Sequence, residues 1–127
     1  MTEEELKHRL KQFAIRIVKM VDSMPNTISS TAIARQVVRS GTSPSANYRA
    51  ACISKSEKDF LNKLKMVEEE LDETLHWLEI IMETDILPER RILPLYQENK
   101  ELFSIIVKSI VTTKNNINQK RTPIVKL

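Results

Sequence analysis

Apolar residues recur every three or four positions along most of this chain, and this spacing constrains the fold more than any other feature. In the first segment they step by 4, 3, 4, 3 and 4 residues, which places one stripe along an α-helix packed against a partner: Leu6, Leu10, Phe13, Ile17, Met20 and Met24. Ile15, Val18 and Val21 widen this stripe, which predicts their burial in a bundle. A single glycine is too few for the tight turns of an all-β protein or for a phosphate-binding glycine loop.

Breaks in the pattern separate helices 1 and 2. Helix 1 opens with the capping-box pattern Thr2–Glu5, in which a hydroxyl and a carboxylate satisfy free N–H groups. It ends at Met24–Asn26, because the residue before Pro25 is pushed out of the helical region. Helix 2 is predicted to begin with a cap at one of the residues Ser29–Thr31 and to run up to the polar boundary Ser54–Ser56.

The second half of the chain predicts two longer helices. Helix 3 starts at the partial capping box of Ser56 and Asp59, and its stripe is Phe60, Leu64, Val67, Leu71, Leu75, Leu78 and Ile81. Asp85 is the predicted cap of helix 4, Pro88 fits its first turn, and Pro94 delays its start or bends it. Four amphipathic helices with short connections predict an all-α, up-down-up-down four-helix bundle over residues 1–116, followed by a flexible basic tail over residues 117–127.

Composition and charge limit the classes of function. The chain is 41% hydrophobic and 29% charged and has no apolar run long enough to span a membrane. Because its first residues are acidic and its one cysteine suits a reducing compartment, we expect no secretory leader and a cytoplasmic protein with no membrane partner. The net charge of +3 divides unevenly, with +4 over residues 25–55, −7 over residues 56–85 and +5 over residues 86–127. Such alternation favours either attraction between helices of one chain or neighbouring subunits, or a nucleic-acid surface.

The stretch RSGTSPSANYRAAC interrupts helix 2 with the only glycine and a proline. Gly41 permits close approach of another backbone, and Pro44 removes one main-chain donor, so we predict a kink within about one turn of Pro44. Asn47 is interpreted as a structural hydrogen-bonding residue near this kink.

Basic residues around this stretch are the candidate nucleic-acid-binding residues: Arg35, Arg39, Arg49, Lys55 and Lys58. Arg35 and Arg39 lie one turn apart on one helix face, and the guanidinium fork matches phosphate oxygens. Alternatively, the arginines pair with the acidic residues of helix 3. Tyr48 is the only aromatic residue in the region, so a base-stacking platform is not supported.

Two segments resemble the bacterial four-helix-bundle proteins related to those encoded in intervening sequences of ribosomal RNA genes. These segments are QVVRSGTSPSAN and SEKDFLNKLKMVEEELDETLHWLEII. The resemblance implies a left-handed bundle that assembles into a ring, typically a homopentamer. A distantly similar bundle is the accessory protein of diversity-generating retroelements, whose basic surfaces engage nucleic acid. Members usually carry an acid where this chain has Ala50, which implies either the loss of a shared functional group or the loss of a structural ion pair.

No residue set predicts a reaction. Glu73 and His76 match one Glu-x-x-His motif, but a di-iron bundle needs a second, so we expect no metal and no cofactor. Cys52 lacks a neighbouring activating group and is interpreted as a buried or interfacial small residue, and Trp77 as a core or subunit anchor. The sequence therefore favours a non-enzymatic bundle that self-assembles and binds RNA, DNA or a nucleic-acid-processing protein. The alternative is a protein-interaction scaffold without nucleic-acid binding.

Overall fold

The structure, a computed structural model, describes residues 1–121 and consists there of four α-helices without a β-strand. The helices are α1 (Glu3–Asp22), α2 (Ile28–Ala51), α3 (Glu57–Glu83) and α4 (Glu89–Arg121). Successive helices pack together, α1 also packs on α4, and no Cα atoms of the diagonal helix pairs lie within 8 Å of each other. This is the four-helix bundle that the apolar pattern predicts; its handedness stays a prediction.

The helix starts follow from side-chain caps. Thr2 and Glu5 form the predicted capping box at α1, and the Ser56 hydroxyl accepts from the Asp59 amide at α3. Helix α2 starts earlier than predicted, because Thr27 caps it by accepting from the Ser30 amide.

The turn between α3 and α4 corrects the role of Asp85. Asp85 adopts a left-handed backbone with φ of 58°, and the amides of Asp85 and Ile86 donate to the carbonyls of Met82 and Ile81. These two bonds close the end of α3, so Asp85 is the terminator of α3 and not the cap of α4. Pro94 lies inside α4 and therefore does not delay its start.

Helix α4 extends beyond its predicted end at about Asn116 and continues to Arg121. Lys120 in its last turn forms an ion pair with Glu57 at the start of α3, a contact between residues distant in sequence. Residues 117–121 are helical, whereas the domain boundary at residue 116 and the flexible tail stay predictions. The remainder of the predicted tail, residues 122–127, lies outside the described residues.

The core uses the predicted stripes with two changes. Most predicted stripe positions are buried, but Thr74 occupies the core position on α3 while Leu75 is half-buried. Helix α4 places Asn99 among its buried apolar residues, and neither its Nδ2 nor its Oδ1 has a hydrogen-bond partner among the described residues.

Gly41 is a point of close approach between α1 and α2. A Cβ atom at this position would lie 2.8 Å from both Cγ1 and Cγ2 of Ile17. The glycine is therefore required by the distance between the helices and not by an unusual backbone conformation.

Helix α2 runs through Pro44 without a break in its helical assignment, so the predicted kink stays a prediction. Asn47 Nδ2 lies 3.2 Å from the carbonyl oxygen of Ser43 and 2.8 Å from its Oγ. This side chain makes local hydrogen bonds one turn away, as its interpretation as a structural residue requires.

Candidate nucleic-acid interface

The five predicted basic residues lie on different parts of the bundle. Arg35 lies beside the turn between α1 and α2, whereas Lys55 lines a pocket where α2 leads into α3. Arg39 packs across the α2–α3 seam, Arg49 lines a groove between α1 and α2, and Lys58 is exposed in the first turn of α3. Arg35, Lys55 and Arg49 thus line three different pockets.

Arg39 is engaged by the acidic residues of α3. Its Nη1 lies 3.1 Å from Glu70 Oε1, and its Nη2 lies 2.6 Å from Glu73 Oε2. The Trp77 indole N–H also donates to Glu73 Oε2, over 3.0 Å. These carboxylates raise the pKa of Arg39, and the bond from Trp77, followed by that from Arg39, lowers the pKa of Glu73. The structure thus shows the helix-to-helix pairing weighed in the sequence, while a phosphate contact by Arg39 stays a prediction.

Arg49 belongs to a groove that sequence reasoning did not assemble. The groove is lined by Lys7, His8 and Lys11 from α1, by Ser45 and Arg49 from α2, and by Glu4; we call it the α1–α2 basic groove. Glu4 binds Lys7 at 2.6 Å and raises its pKa, but Lys11 and Arg49 form no ion pair with any described residue. Their charges remain open to an anionic partner.

The α1–α2 basic groove was missed because its members come from two helices. Lys7, His8 and Lys11 occupy neighbouring surface positions on α1, and this spacing is visible in the sequence. The hairpin between α1 and α2 then brings Arg49 beside them. Pairing the ends of the two predicted helices would have identified the cluster.

Two apolar residues follow the α1–α2 basic groove along α1. Ile15 and Val18 are 37% and 41% exposed, and they lie three residues apart on the surface of the helix. The prediction that they are buried within the bundle is wrong for the single chain, whereas Val21 is half-buried against the core. One turn of α1 thus presents adjacent apolar side chains to solvent.

Cys52 and Tyr48 lie at the end of α2 and are unlike a reactive pair. The pKa of the Cys52 thiol is raised, mainly because the thiol is partly buried. Burial is also the main reason that the pKa of the Tyr48 hydroxyl is raised. A thiol held protonated is a poor nucleophile, which agrees with the structural interpretation of Cys52.

The Glu73–His76 motif does not form a ligand set. Glu73 is bound by Arg39 and Trp77, while the His76 ring packs edge-on to Trp77 with ring centres 4.9 Å apart. Within residues 1–121, no three metal-ligating side chains converge on one point. None of the helices over the same residues is both long and apolar enough to cross a bilayer.

Comparison with known proteins agrees with the bundle and the resemblance. The sequence model of the 23S rRNA-intervening sequence protein family matches residues 3–108. The crystal structure of a protein of unknown function from the S23 ribosomal protein family of Bacteroides thetaiotaomicron VPI-5482 is 30% identical, with a TM-score of 0.81. The alignment covers 87% of this chain and 98% of that protein. A search of curated proteins gave no match. The chain belongs to the 23S rRNA-intervening sequence protein family.

Proposed function

We propose that this protein is a non-enzymatic, self-assembling helical bundle that binds the phosphate backbone of RNA or DNA through the α1–α2 basic groove. The observation that carries the proposal is the convergence of Lys11, Arg49 and His8 in one groove, where neither Lys11 nor Arg49 is ion-paired within the described residues. Arginine and lysine at such a groove provide hydrogen-bond donors and positive charge for phosphate oxygens. The family name refers to 23S rRNA but names no bound nucleic acid.

Self-assembly is supported by the exposed pair Ile15 and Val18. Single exposed apolar residues are ordinary, but two on one helix face form a surface that a partner can cover. By family resemblance the assembly is a homopentameric ring, and the expected compartment is the cytoplasm.

Binding to RNA and DNA oligonucleotides across a salt series tests the nucleic-acid part. Wild-type protein should bind most tightly at low salt, because phosphate contacts release condensed counterions. The Lys11→Glu/Arg49→Glu variant should lose at least tenfold in affinity. Lys108→Glu/Lys114→Glu on α4 makes the same change in charge away from the groove and should lose much less.

Absence of binding by the wild-type protein at low salt would refute this part of the proposal. Equal losses in the two variants would show that overall charge is responsible and would remove the groove from it. An Arg35→Ala/Arg39→Ala variant compares the originally predicted residues with the groove.

The protein-interaction scaffold remains the second candidate, and the exposed pair Ile15 and Val18 is the observation that favours it. A complex that survives nuclease treatment and high salt would support the scaffold over nucleic-acid binding.

A further inference from the structure

A second groove, between α1 and α4, carries positive charge on an apolar floor. It is lined by Arg16, Lys19 and Met20 from α1 and by Arg91, Ile92 and Leu95 from α4. Every charged residue in this lining is basic. Arg91 is positioned by a 3.0 Å hydrogen bond from its Nη2 to Ser23 Oγ, while Arg16 and Lys19 form no ion pair within the described part of the chain.

The basic lining continues onto an exposed apolar residue. Ile15 lies one turn before Lys19 on α1 and is partly exposed. We call Ile15, Arg16, Lys19 and Arg91 the basic docking surface. It offers an apolar contact beside several positive charges, which fits a partner helix that is both apolar and acidic.

The outer face of α3 has that complementary character. Met66 is 46% exposed, and Glu69 and Asp72 follow it at intervals of three residues. We call these three residues the acidic docking surface. Glu70 and Glu73 are held by Arg39, and Glu57 by Lys120, but Glu69 and Asp72 form no ion pair with a described residue. The spacing of Glu69 and Asp72 equals that of Arg16 and Lys19, so two helices can align both pairs of charges.

The two surfaces cannot meet within one molecule. Helices α1 and α3 occupy diagonal positions in the bundle and do not pack together, so their outer faces point to opposite sides. We propose that the basic docking surface of one copy binds the acidic docking surface of a second copy. Because the surfaces differ, this contact is head-to-tail, and its repetition gives a closed ring or an open filament.

This inference rests on the self-assembly in the proposed function and names the surfaces that would carry it. Individual exposed ion pairs are weak, so several charges must act together with the contact between Ile15 and Met66. The interface should weaken as salt is raised, because its charges lie at the surface.

Charge reversal tests the pairing, with molar mass measured by light scattering over a range of concentrations at low salt. Wild-type protein should show a multiple of the 14.7 kDa chain mass. Arg16→Glu/Lys19→Glu and Glu69→Lys/Asp72→Lys should each raise the concentration for half assembly at least tenfold. A fourfold variant that combines all four substitutions in one chain should restore assembly, because every contact between copies then again joins surfaces of opposite charge. Lys108→Glu/Lys114→Glu should assemble like wild type.

The possible failures are distinguishable. A wild-type mass of one chain at all concentrations removes self-assembly and this inference together. Normal assembly of either charge-reversed variant, or a fourfold variant that stays monomeric while keeping its helical circular-dichroism signal, overturns the pairing and leaves self-assembly intact. If a reversed variant loses its helical circular-dichroism signal, Arg16→Gln/Lys19→Gln and Glu69→Gln/Asp72→Asn replace it, and unchanged assembly of these neutral variants overturns the inference.

Discussion

The α2–α3 and α1–α4 seams close opposite sides of the bundle in different ways. At α2–α3, the buried hydroxyls of Ser40 and Thr74 are hydrogen-bonded to each other at 2.9 Å. Arg39 at the same seam forms ion pairs with Glu70 and Glu73. At α1–α4 the helices approach less closely, and a groove with uncompensated basic residues lies open. The comparison teaches that Arg39 of α2 is used within the chain, whereas Arg16 and Lys19 of α1 form no ion pair with a described residue.

The contact of Gly41 with α1 offers the largest perturbation, on the same helix α2 that forms the closed seam with α3. Gly41→Ala would place a methyl group 2.8 Å from two carbons of Ile17, so one helix must move. Overpacking of this kind costs about 1–3 kcal/mol, which exceeds the gain of about 1 kcal/mol from better helix propensity. Urea unfolding should show a lower midpoint.

An Ile17→Ala background is the control for the clash. Ile17→Ala alone removes a core side chain and costs about 2–5 kcal/mol. In that background, Gly41→Ala should become neutral or stabilising, because the three contacting Ile17 atoms are gone. Strict additivity of the two changes would contradict the close-approach explanation.

The buried hydroxyl pair gives the next effect. Thr74→Val removes the cross-helix hydrogen bond of Ser40 Oγ, which keeps only a 3.5 Å contact with the carbonyl oxygen of Val37, and we expect a cost of about 1 kcal/mol of unfolding free energy. Adding Ser40→Ala should recover part of this loss. A double variant as unstable as the summed single variants would show that the hydrogen bond does not couple the helices.

Arg9 provides the matching perturbation on the open side. Its guanidinium binds both oxygens of Glu98, at 3.1 and 2.7 Å, and also reaches Glu101. Arg9→Gln should cost about 1 kcal/mol or less, because the pair is partly exposed. Hydrogen exchange should accelerate in α1 more than in α3. Uniform acceleration in all four helices would mean that the open seam is no weaker than the closed one.

The smallest expected effect is the pH dependence of Glu73 at the closed seam. The pKa of Glu73 is lowered in the fold, first by the Trp77 indole bond and then by Arg39. Its contribution to stability is therefore fully present above the ordinary glutamate pKa of about 4.3 and is lost as the pH falls through the lowered value. Unfolding followed between pH 7 and pH 2 should show a smaller loss of stability on acidification in Glu73→Gln than in wild type. Identical pH profiles would contradict this assignment.

Local chemistry explains which parts of the fold could be predicted. Thr2 and Ser56 cap their helices with atoms three residues away, so these starts are readable from short patterns. The extension of α4 was not predictable in this way, because Lys120 meets Glu57 only after α3 and α4 have packed. The burial of Thr74 was missed for the same reason, since its partner Ser40 lies on another helix.

The candidate site shows the same limit. The sequence singled out Arg49 and offered pairing with the acidic residues of α3 as the alternative for the arginines, and the structure shows this pairing for Arg39 with Glu70 and Glu73. It did not place Arg49 beside Lys11, because these residues come from different helices and meet only when the start of α1 lies beside the end of α2.

Asn99 gives the bundle a marker of register. An uninterrupted stripe of leucine and isoleucine would let α4 slide by one heptad and exchange like side chains for like. The buried amide between Leu95 and Leu102 breaks this equivalence, since every shifted alignment would place it in a different layer. Single polar residues in helical cores are known to fix alignment at a cost in stability. Asn99→Leu should therefore yield a bundle that is harder to unfold but less uniquely aligned.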